Sequence, residues 1–140
     1  MTFQEKSILI TVVALVVAAS AYAVLLLRLA AGEPVDDVAY QPLLVGAVVL
    51  LAVVVAGGHV AAAVAAPADA TAGTDEREKL IGWRGQSAGG YVLAVGVFVA
   101  ICLAMVEVPW FWIANVLAGM WVLAEVVGGL VKLALFRRGV

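Results

Sequence analysis

Four long apolar runs, each holding two ionisable side chains at most, decide what this chain can fold into. Ser7 to Leu27 holds no acid or base, Val38 to Ala68 only His59, Gly85 to Val106 none, and Val108 to Phe136 only Glu125 and Lys132. A helix needs roughly 20 mostly apolar residues to cross about 30 Å of hydrocarbon, and every run is long enough. Lipid offers the backbone no hydrogen-bond partners, so crossing segments are helices or closed barrels. Barrel strands alternate lipid-facing and lumen-facing residues, and these runs do not. The sequence therefore predicts an all-α, four-helix transmembrane bundle forming one membrane domain over 1–140. The expected antiparallel spans are about 7–29, 42–66, 86–106 and 109–136.

Composition excludes several functions. The chain is 66% hydrophobic and 13% charged, against about 45–50% and about 25% in soluble domains. With a net charge of −2 and no basic tract, it has no grip on nucleic acid. Cys102 is the single cysteine and His59 the single histidine, so neither paired-thiol chemistry nor bis-histidine haem ligation fits within one chain. No phosphate loop, nucleophile elbow or metal-ligand cluster is visible. The expectation is no catalytic residues, no metal and no cofactor.

Orientation follows from the basic residues. With both termini inside, Lys6, Arg77, Lys79, Arg84, Lys132, Arg137 and Arg138 fall on the inner side and only Arg28 outside. That split predicts cytoplasmic termini in a cytoplasmic membrane. Ala21-Tyr22-Ala23 resembles a signal-peptide cleavage site, but Val24 to Leu27 continues the apolar run beyond it.

Pro42 and Pro109 are expected in the first turns of spans two and four, where a missing N–H costs nothing. Glu107-Val108 is expected to make a tight turn. The inner loop differs in character. Pro67 to Gly73 is small and flexible, Thr74 is a suitable N-cap, and Asp75 to Arg84 reads as a short interfacial helix feeding span three. Its Asp75, Glu76, Arg77 and Glu78 offer a charged docking surface for a protein partner.

Small residues recur at helical spacing in every span, as in Gly85-x-x-x-Gly89 followed by Gly96, Ala100 and Ala104. In span four the stripe reads Ala114, Ala118, Glu125 and Gly128 or Gly129. Such stripes let helix backbones approach closely, which matters where lipid supplies no hydrophobic drive. They predict tight packing, within the chain and in a homo-oligomer. Asn115 is expected to make a hydrogen bond between helices.

Two buried ionisable residues stand out. Counted from the two prolines, His59 and Glu125 lie 17 and 16 residues into parallel spans, at roughly matching depths of 24–26 Å. A bare charge at that depth is costly, so each is expected to face a partner or a path. If they touch, they hold an ionised pair or share a proton. Thr11, Tyr91 and Lys132 are candidates for a surrounding network. A polar clamp fixing helix packing and a proton or ligand site both remain open.

The stretch Thr74-Asp75-Glu76-Arg77-Glu78-Lys79-Leu80-Ile81 resembles a D-E-R-[DE]-x-x-I motif that precedes the third span in small uncharacterised bacterial four-helix membrane proteins. The resemblance covers those eight residues and the overall layout. It implies a purposeful inner segment and no particular activity. The sequence thus points first to a non-enzymatic scaffold or accessory subunit in the lipid bilayer, docking a partner through 75–84. Its second reading is a small proton-coupled transporter or channel subunit using His59 and Glu125.

Overall fold

The computed structural model describes residues 3–65 and 75–138. Those residues form four long helices and no strand. They are α1 (Phe3–Leu29), α2 (Tyr40–Ala65), α3 (Glu76–Met105) and α4 (Trp110–Arg138), with a 3-10 turn at Val35–Asp37 before α2. All four helices are long and apolar enough to cross a membrane.

The helices begin and end where local chemistry requires. Gly32, at φ +89°, turns the chain out of α1. Asp75 caps α3, its carboxylate accepting from the Glu76 N–H at 2.7 Å. The N-cap is therefore Asp75 rather than Thr74; Thr74 and the loop expected over 67–73 lie outside the described residues. From Glu76 the helix runs unbroken to Met105. The separate interfacial helix expected over 75–84 is instead the opening turns of α3, because no proline interrupts residues 76–105 and Gly85 is held against α4. At the far end, the Val108 N–H bonds the Leu103 carbonyl and the Glu107 N–H bonds that of Ala104, both at 3.1 Å. This double bond pattern places the turn residue in the left-handed region, and Glu107 sits there at φ 57°. The expected tight turn is present, although glycine is the commoner occupant. Pro42 lies in the first turn of α2, whereas Pro109 immediately precedes α4.

α4 is the hub. More of its apolar stretch is buried in the protein than of any other helix, and least of that of α2. One side of α4 carries α3 and another meets α1, which in turn carries α2. Glycines make the closest approaches. A Cβ on Gly89 would lie 2.6 Å from the Ala124 carbonyl oxygen, and one on Gly85 would lie 2.7 Å from that of Gly128. Gly129 abuts Val12 of α1, and Gly96 abuts Met120. The small-residue stripe of α3 is thus a packed seam over Gly85, Gly89, Gly96 and Ala100, all buried, whereas Ala104, at the end of the expected stripe, is exposed.

At the opposite end from Lys132 and Arg138, an aromatic cluster pins α2 to α4. Tyr40 and Phe111 meet edge to face at 5.3 Å, with Val38 buried beside them. Away from this pin α2 and α4 do not close on one another. An apolar trough runs between them over α1, with cavities of about 80 and 240 Å³ that share Leu15, Val48, Leu51 and Trp121.

Candidate functional site

His59 is positioned by α1 rather than α4. Its Nδ1 lies 2.9 Å from the Ser7 hydroxyl and its Nε2 lies 3.3 Å from the Thr11 hydroxyl. Thr11 also donates to the Ser7 carbonyl at 3.1 Å, one turn back along α1. The donor and acceptor roles of the ring nitrogens depend on the tautomer, and one assignment from the network satisfies every contact. Ser7 donates to Nδ1, a neutral ring donates from Nε2 to Thr11, and Thr11 passes its own proton to the backbone. Every polar atom then has a partner without any charge, which is what a half-buried imidazole in a membrane requires.

The expected meeting of His59 with Glu125 is not found. Tyr40 and Phe111 meet near the starts of α2 and α4 and give a common reference for depth. His59 lies 19 residues beyond Tyr40, while Glu125 lies only 14 beyond Phe111. At 1.5 Å per residue His59 is therefore about 7.5 Å deeper. Counting from the prolines hid this offset, because Pro42 lies inside α2 whereas Pro109 lies outside α4. Rotation matters equally. On α4 the buried positions are Phe111, Ala124, Gly128 and Gly129; Glu125, one residue on from Ala124, is exposed.

Glu125 occupies the rim of the trough, facing Thr11, Val55 and Trp121 across the wider cavity. It also borders a narrow crevice between α3 and α4 with Gln86, Gly90 and Lys132. Among the described residues it makes no hydrogen bond or ion pair. Lys132 lays its alkyl stem across Gly85. Tyr91 projects from the side of α3 away from α4 and is 77% exposed. Of the expected network only Thr11 reaches His59. The expected docking residues Asp75, Glu76 and Arg77 are exposed and Glu78 is half-buried, all at the opening of α3.

The expected bond at Asn115 is present. The Tyr22 hydroxyl donates to its side-chain oxygen at 2.6 Å, and its amide donates to the Phe111 carbonyl at 2.7 Å. Sequence reasoning missed Tyr22, whose only signal was a phenol hydroxyl in a run free of acids and bases. No group of three or more His, Cys, Asp or Glu side chains comes together among the described residues. The chain matches no protein-family model, no curated protein and no solved structure.

The α1–α2 bonds lend themselves to a double-mutant cycle. Ser7→Ala is expected to cost about 0.6–1.7 kcal/mol in the parent and nothing further once His59 is Ala. Unfolding in mixed micelles checks this; additive losses would mean that Ser7 acts elsewhere.

Proposed function

We propose that this chain is a non-enzymatic scaffold or accessory subunit of the cytoplasmic membrane, completed by a further transmembrane helix packed along the α2–α4 trough. One observation carries the reading: Glu125, 15 residues into α4, is exposed and, among the described residues, has no hydrogen-bond or ion-pair partner. A carboxylate at that depth is not left against hydrocarbon; it is paired, or it faces a cavity or the interior of a bundle. A second helix supplies the missing donor and covers the apolar walls. The excess of basic residues at one end supports cytoplasmic termini. On this reading the exposed Asp75, Glu76 and Arg77 lie in the cytoplasm, within reach of a soluble partner.

A photoreactive residue at Val55, on the α2 wall of the trough, tests the reading in cells. The expected product is a protein adduct that Glu125→Gln reduces roughly 3- to 30-fold, the worth of an intramembrane hydrogen bond. Adducts to lipid alone would overturn the proposal. Charge reversal at Glu76 and Arg77 is expected to lose a soluble partner while the chain still folds and inserts.

The same unpartnered carboxylate favours proton-coupled transport as a second reading, with Glu125 acting without His59. Flux in proteoliposomes that depends on a pH gradient and disappears in Glu125→Gln would favour it over the scaffold.

A further inference from the structure

We infer that the helix completing the trough is α3 of a second copy of this chain, seated so that its Tyr91 hydroxyl donates to Glu125. This rests on the subunit reading above and names the occupant.

The argument begins with level. Within one chain Gly89 of α3 sits against Ala124 of α4. Tyr91 is two residues along α3 and Glu125 one residue along the oppositely running α4, so their Cα atoms differ by about 4.5 Å along the membrane normal. Side chains lean toward the N-terminus of their own helix. Tyr91 therefore leans toward the basic end and Glu125 leans away from it, and the two polar groups converge on one level. Copies inserted in the same orientation preserve that level. The residues cannot meet within one chain, because Gly85, Gly89 and Gly96 face α4 and Tyr91 lies on the opposite side of α3. One face holds an acceptor without a donor; the other presents a tyrosine hydroxyl, for which the structure shows no hydrogen-bond partner, to the bilayer.

Shape gives a second, independent match. Phe98 follows Tyr91 by seven residues and is 66% exposed. Seven and six residues before Glu125, the α4 wall of the trough carries the small residues Ala118 and Gly119, and nothing lies within 4 Å of a Cβ built on Gly119. Two aromatic rings two helical turns apart thus face a carboxylate and a small-residue notch at the same spacing. The contact joins different surfaces of the two copies, so it propagates head to tail and closes into a ring when the rotation allows.

The test uses full-length protein in liposomes, with the exposed Cys102 replaced by Ser. Level matching pairs Ala94 with Val48 and Ser87 with Val55. Chains carrying Ala94→Cys with Val48→Cys, or Ser87→Cys with Val55→Cys, are expected to oxidise to a ladder of covalent oligomers. The mismatched pair Ala94→Cys with Val55→Cys is expected to stay monomeric. Subunit exchange followed by fluorescence transfer should show Tyr91→Phe and Glu125→Gln each weakening association roughly 3- to 30-fold, and the double variant no more than either. Monomers throughout, ladders from the mismatched pair, or association indifferent to Tyr91→Phe would overturn the inference. A Val55 photo-adduct containing a different protein, with no ladder, would overturn the second copy while leaving the subunit reading intact.

Discussion

Gly89→Ala is expected to destabilise the chain, while Gly82→Ala, seven residues earlier on the same face of the same helix, is expected to stabilise it. A methyl on Gly89 would point at the Ala124 carbonyl oxygen 2.6 Å away, and a methyl on Gly82 would meet nothing within 4 Å. Backbone cannot rotate aside as a side chain can, so α3 and α4 must separate along their seam, losing packing at Gly85 and Gly128 as well. Overpacking of this kind costs about 1–3 kcal/mol, occasionally more. Replacing an unhindered helical glycine by alanine returns about 1 kcal/mol. The two variants should therefore differ by roughly 3 kcal/mol in reversible unfolding from mixed micelles. Equal shifts would mean that the seam is not the close backbone contact described.

That seam was readable from sequence, because the Gly-x-x-x-Gly spacing states both the face and its purpose. The four spans were readable for a similar reason: hydropathy and length are local, and the bilayer imposes both. What sequence could not fix were quantities set jointly by two helices. Whether Ala124 or Glu125 turns inward is a question of one residue, or about 100° of rotation, and small residues on both sides of α4 fit either answer. The relative depth of His59 and Glu125 depends on which residues hold the helix ends level. That information lies in the meeting of Tyr40 with Phe111, a contact between positions 71 residues apart. Ser7 shows the converse. Its hydroxyl is unremarkable alone and acquires a role only when α2 brings an imidazole to it.

Glu125→Leu is expected to make α4 insert more readily and to make the assembled protein worse. An acidic or basic side chain at the centre of a membrane helix costs about 2.5–3.5 kcal/mol in insertion, whereas leucine contributes about −0.5. The substitution should therefore improve the apparent insertion of the isolated α4 segment by roughly 3 kcal/mol, readable by glycosylation of flanking acceptor sites. If insertion is unchanged, Glu125 does not reach the hydrocarbon, and it then has no need of a partner. An improved insertion leaves a carboxylate that the single chain holds at a loss. In the folded chain, the substituted leucine side chain would extend the apolar wall made by Val55 and Trp121 and remove the one anionic acceptor lining the trough. The isolated chain should be at least as stable as the parent, while association should fall as far as in Glu125→Gln. A residue that costs its own helix about 3 kcal/mol and, among the described residues, makes no bond within its own chain would, on the proposed assembly, have its role between chains. Opposite signs for insertion and assembly in one substitution are the signature of that arrangement.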